Sequence, residues 1–364
     1  MADTTKTRVN EIDLLRFVAA LLVLFFHYSF RGYAADAKTE MPYPLLAPVF
    51  KYGYLGVDLF FIISGFVILM TASSGSFRGF AVSRIVRLYP AFWACCTITF
   101  AAILAIGGTR YSASISQYLI NLTMLSRFFD VAYIDGVYWS LVVELRFYVL
   151  IAIVLPLGRI QRIQALLICW IAASIALEFV PLEWPGYLLI VDYSAYFIAG
   201  AICFLIWSQG ISAMRIAVLA ACWGLALFQS IDRAQDSADY YQTPFSNAVV
   251  VAIVSAFFAV MLLVALHWTG FFGRRKWLVA GALTYPLYLL HQNIGFMIFN
   301  LAYPAINPHV VFWGTTLIML ALAYLVHVQI EQRFGPALKS LLNRLLDTIA
   351  RQAGRPDAGA DLHR

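Results

Sequence analysis

Roughly ten apolar stretches of about 18 residues or more run through this chain, and they leave it few ways to fold. Backbone amides in hydrocarbon must bond internally, so stretches of that length cross a membrane as helices. They fall at 12–30, 54–72, 88–106, 137–157, 163–180, 187–207, 212–229, 245–267, 278–300 and 308–331. With 62% hydrophobic and 12% charged residues and a mean hydropathy of +0.80, the 364-residue chain lies far outside soluble globular composition. The expected fold is all-α, a polytopic transmembrane helical bundle of about ten spans. A less hydrophobic stretch at 115–129 is too short and polar to span and is expected as an amphipathic or re-entrant helix.

Basic residues set the expected orientation. Of 25 Lys and Arg, 17 fall on the N-terminus, the tail and the loops alternating with them, against six on the other side; Arg16 and Arg146 lie inside spans. Such a bias puts both termini in the cytoplasm, with the chain in a cell membrane, the bacterial inner membrane by preference. The net charge of +6 follows this topology and carries no nucleic-acid signature. Three segments result: a cytoplasmic segment 1–11, one membrane domain 12–331, and a basic tail 332–364 expected to be disordered. The five cysteines sit in apolar runs without metal-type spacing, so no metal site is expected. Ala35-Asp36-Ala37 faintly resembles a cleavage site, but the run before it is too long and carries Asp13, Arg16 and His27, so it reads as a retained first span.

Ionisable residues inside spans are expensive and mark functional candidates. In the first span, Arg16 and His27 are eleven residues apart, which places them on one helix face about 16 Å apart along the axis. The alternative is a snorkelling arginine and a histidine satisfied between helices. Asp58, near the outer start of the second span, matches His27 in depth and is placed to pair with it and fix its tautomer. Glu144, Asp192 and His291 also count into the outer or middle part of their spans. Inward, Arg84 and Arg87 in RIVRLYP share a helix face just before the third span and join Arg16. Three guanidiniums there suit the phosphates of an anionic cytosolic ligand, although positive-inside bias and anionic-lipid contact would produce the same residues. A phosphate anchor inside and a histidine further out fit coenzyme A, whose pantetheine arm bridges a gap of that length.

These residues also carry a resemblance. Arg16 with His27, GVDLFFIISGFVI (Gly56 to Ile68), RIVRLYP (Arg84 to Pro90), WSLVVELRFY (Trp139 to Tyr148) and TYPLYLLH (Thr284 to His291) occur in this order, and the chain resembles the acyltransferase 3 family from about Ile12 to Glu331. The resemblance implies transfer of an acyl group, commonly acetyl, from cytosolic acyl-CoA to a hydroxyl of a glycan, polysaccharide or lipid-linked sugar. Acyl-CoA is then a donor substrate rather than a bound cofactor. Many members carry an extracytoplasmic hydrolase-like domain; none is expected here, and on that expectation the membrane domain finishes the reaction or hands the acyl group to a separate extracytoplasmic protein.

The roles expected on this reading put His27 as general base or transient acyl carrier, with Asp58 orienting it and Glu144 assisting proton transfer or holding the sugar. Asp58 could instead cap its helix or pair with a basic neighbour, and Glu144 could pair with Arg146 or an adjacent helix. Arg16, Arg84 and Arg87 are the acyl-CoA residues. Trp139, Tyr148 and His291 line or support the acceptor path, unless Trp139 belongs to an interfacial belt. Competing readings are a proton-coupled transporter or flippase, against which the two halves show no clear repeat, and a non-catalytic lipid-binding subunit.

Overall fold

A computed structural model describes residues 9–34, 37–73, 76–154 and 162–353. Among them no strand occurs, and the longer helices are α1 (Asn10–Phe26), α2 (Gly56–Ser73), α3 (Phe77–Ile106), α4 (Trp139–Val154), α5 (Ile163–Phe179), α6 (Val191–Gln209), α7 (Ala213–Tyr241), α8 (Asn247–Ala265), α9 (Leu278–Ala302), α10 (Pro308–Val326) and α11 (Gln332–Ala353). Eight of the expected spans are helices long and apolar enough to cross a membrane. The other two are α5, apolar but 17 residues long, and α9, long enough but interrupted by His291, Gln292 and Asn293. The 115–129 stretch forms a short helix at Ile115–Asn121, closed by a Ser114–Gln117 capping box, and a turn at Ser126–Phe129.

Three helix ends differ from expectation in ways that build the site. α3 begins at Phe77, where the Ser76 hydroxyl accepts from Gly79 N, so Arg84 and Arg87 sit two and three turns inside a helix rather than before one. α7 runs twelve residues past 229 to Tyr241 and carries Arg233 back against the bundle. The entry to α4 is sunk rather than superficial: Asp135, fully buried, accepts from Val137 N (3.2 Å) and from Asn293 N of α9 (2.9 Å). α11 is a further difference: residues 332–353 are helical, with leucines spaced along one face, where their basic composition predicts disorder. Residues 354–364, with the rest of that expected tail, lie outside the described residues, as do 1–8, 35–36 and the end of the 137–157 stretch at 155–157.

The centre of the bundle is the crossing of α2 and α6. A Cβ on Gly65 would land on the Phe197 carbonyl oxygen, and one on Gly200 on the Ile62 carbonyl oxygen, so two hydrogens replace two side chains where the backbones touch. This contact carries Ser64 and Asp58 toward the interior of the site. Gly200→Val would force a branched side chain onto backbone that cannot yield. We expect it to cost about 3 kcal/mol or more, at the upper end of overpacking penalties, read as a large drop in the thermal midpoint of the detergent-solubilised protein; an unchanged midpoint would refute the close crossing.

Candidate active site

α1 is the axis of the site. It ends in a π-helical turn, His27–Arg31, a wide turn that often marks functional positions. Three cavities lie along it, each sharing wall residues with the next. At the Asn10 end, one of about 440 Å³ is walled by Asp13, Arg16, Arg87 and His327. A second, of about 240 Å³, shares Arg16, Val67 and Arg87 with the first and adds Arg84, Glu144 and Tyr148. The third, of about 280 Å³, shares Val57 and Tyr288 with the second and is walled by His27, Asp58, Trp139, Tyr193 and Arg233.

The guanidiniums differ in their engagement. Arg87 faces Glu331 at 3.5 Å and lies 5.8 Å from the Tyr285 ring. Arg84 lies between the Phe80 and Tyr148 rings at 5.9 and 5.8 Å and donates to Ser83 Oγ at 3.1 Å, while its buried Nε has no partner. Neither Arg84 nor Arg16 has a carboxylate within ion-pair distance among the described residues, which leaves both available to an anion. Glu331 also accepts from His327 at 2.6 Å, so the turn after α10 closes the wall on which Arg87 rests.

Glu144 belongs to this end and not to His27. Ser64 Oγ donates to its Oε1 at 2.5 Å, and it shares the middle cavity with the three arginines. Counting inward from the expected outer end places it higher, but α4 starts inside the bundle, which lowers every residue after it. It makes no pair with Arg146, whose guanidinium lies 4.1 Å from the Tyr187 ring and donates to the Tyr187 carbonyl oxygen at 2.8 Å. Tyr148 likewise stands with the arginines rather than on the acceptor side.

His27 is 4% exposed and its ring chemistry follows from its contacts. A carbonyl oxygen only accepts, so His27 Nδ1–H donates to Val23 O at 2.7 Å, and His291 Nδ1–H donates to Tyr288 O at 2.9 Å. That leaves the His291 Nε2 lone pair facing His27 Nδ1 at 3.2 Å, and the His27 Nε2 lone pair buried without a hydrogen bond. The amide of Gln292 approaches the same imidazole but makes no hydrogen bond of good geometry to Nε2. An imidazole nitrogen with a free lone pair is a chemically competent proton acceptor, and its residue lines the outer cavity.

Asp58 does not orient His27. Its Oδ2 accepts from Arg233 Nη2 at 2.9 Å, and Arg233 also donates to Tyr196 Oη at 3.0 Å under the Tyr193 ring. The tautomer is set by Val23 and His291 instead. Trp139 stands in the His27 cavity, its ring 5.6 Å from that of Tyr193, whereas Asp192 is exposed at the start of α6. Sequence patterning assigns no role to Arg233, Asp135 or Glu331. Arg233 falls in what reads as an outer loop, although the polar run after 229 keeps helical spacing; for Asp135 and Glu331 no local signal exists.

A family model described as an acyltransferase domain matches residues 9–328. Nodulation protein 10 of Rhizobium leguminosarum bv. viciae is 29% identical over 185 residues, 45% of this chain and 49% of that protein, so the match spans about half the length of the relative. No solved structure matches the chain.

Proposed function

The chain belongs to the acyltransferase 3 family as a membrane acyltransferase, and from that premise we propose that it moves an acyl group, acetyl in the first instance, from acyl-CoA to a hydroxyl of a glycan or glycolipid. On this reading the Asn10 end faces the cytoplasm, the bundle sits in the bacterial inner membrane, and Arg16 and Arg84, with Arg87 beside them, hold the nucleotide phosphates of the donor. The pantetheine arm enters the middle cavity, whose wall includes Val57, Phe60, Phe61 and Leu141. His27 Nε2 takes the proton of the acceptor hydroxyl as its oxygen attacks the thioester carbonyl. The C–S bond then breaks and the CoA thiolate leaves, receiving the proton from the imidazolium. Trp139 and Tyr193 offer ring faces to a sugar.

One observation carries this reading: Arg16 and Arg84, without an ion-paired carboxylate among the described residues, and the His27 imidazole, whose Nε2 has no hydrogen-bond partner there, line opposite ends of cavities that share walls. Inverted vesicles supplied with radiolabelled acetyl-CoA and candidate acceptors test it. Label appearing on a hydroxylated acceptor supports acyl transfer, whereas solute movement without label supports a transporter. Arg84→Ala should raise the KM for acyl-CoA about tenfold or more with little change in kcat, the loss expected when a charged hydrogen bond is removed. Arg87→Ala should do less, because Glu331 already engages that guanidinium; a KM unmoved in both variants would remove the phosphate role.

A further inference from the structure

α11 leaves much of its apolar face uncovered. It docks on the start of α3 along one edge, where Gly335 is buried beside Val86, Leu338 and Leu342 are half-buried, and Arg78 donates to Asp347 at 2.6 Å and to the Asn343 carbonyl oxygen at 2.8 Å. The uncovered part of that face carries Phe334, Leu341, Leu345 and Ile349, each more than half exposed. At 100° per residue, Arg333, Arg344 and Arg351 flank this arc on one shoulder and Lys339 on the other. An apolar stripe bordered by long cations is the build of a helix lying at a bilayer surface, with stems covering acyl chains and heads among phosphates.

We infer that α11 is an interfacial helix that lies on the leaflet at the Asn10 end of the bundle, its leucine face in the acyl boundary and its four cations on anionic headgroups. A second aromatic and basic patch sits at the same end. Trp268 and Phe271, both largely exposed, precede Arg274, Arg275 and Lys276 in the loop that Asn10 grips through a 2.8 Å hydrogen bond to the Gly273 carbonyl oxygen. Charge decides the occupant. Two copies of α11 meeting through this arc would bring like cations together, whereas anionic lipid neutralises them.

The inference is independent of the proposed chemistry and is tested on the full chain. Cys169 is the exposed cysteine among the five, so a Cys169→Ala background accepts single spin labels at Leu345→Cys and Arg344→Cys. In phosphatidylcholine vesicles containing phosphatidylglycerol, the 345 label should be reached several-fold more readily by oxygen than by a water-soluble nickel chelate, and the 344 label should show the reverse. Replacing Arg333, Lys339 and Arg351 with Gln should shrink that contrast to the level seen in phosphatidylcholine alone. Equal nickel access at both positions would place the helix in solution and overturn the inference. Spin–spin broadening at 345 would seat a second copy there and overturn it equally, and a contrast indifferent to both phosphatidylglycerol and the Gln replacements would remove the headgroup contact.

Discussion

His27→Ala should lower kcat for acyl transfer by about a thousandfold, in the middle of the range that a positioned general base supplies, and leave the KM for acyl-CoA nearly unchanged. The reason lies in one atom. Nε2 carries the lone pair, belongs to a residue that lines the outer cavity and is buried with no hydrogen-bond partner to surrender before taking a proton. Removing the ring takes away the base without touching the guanidiniums at the other end of the passage. His291 supplies the internal comparison. Its Nε2 backs His27 Nδ1 at 3.2 Å, but Val23 O at 2.7 Å already holds that hydrogen, so His291→Ala should cost only about tenfold, the scale on which orienting partners act. Labelled-acetyl transfer in inverted vesicles, beside a thermal unfolding profile of each variant, separates the cases. Full activity in a folded His27→Ala protein would end the assignment, and equal losses in both variants would move His291 into contact with the reacting groups.

The second large effect is one of stability. Asp58 is 2% exposed and is matched by a single cation, Arg233, itself held under tyrosine rings. Asp58→Ala strands that cation in the bundle and should cost about 3 kcal/mol, the scale of breaking a buried pair. Asp58→Ala with Arg233→Met should recover much of the loss, because no uncompensated charge then remains. A positioning role toward His27 predicts the opposite pattern: an unaltered thermal midpoint, a fallen kcat, and no rescue by the second change. Thermal midpoints for the two single variants and the double variant, with kcat per folded molecule, distinguish them.

Part of this site is legible in the sequence. Arg16 and His27 share a helix face because helical geometry is local, and eleven residues on one helix mean the same separation in any fold. Arg84 and Arg87 are legible for the same reason, being one turn apart. Depth is what misleads. Counting inward from an assumed surface presumes that each helix begins at one, and α4 begins against α9, with Asp135 bonded to Asn293 N. Glu144 therefore meets the arginines. Partner choice is equally illegible: Asp58 and His27 lie at one cavity, but a carboxylate takes the strongest cation within reach, and Arg233 arrives on an extension of α7 that hydropathy ends at 229.

The sequence by itself determined that this chain is a bundle of membrane helices, because apolar runs of that length have one stable form in lipid, and it determined which polar residues share a turn or a face, because both follow from the backbone alone. Only the tertiary structure decided which of them meet: the two histidines in line, Asp58 on Arg233, Glu144 on Ser64. Those pairings depend on how helices tilt, sink and cross, and here the crossing is set by two glycines, Gly65 and Gly200, whose missing side chains let α2 and α6 touch.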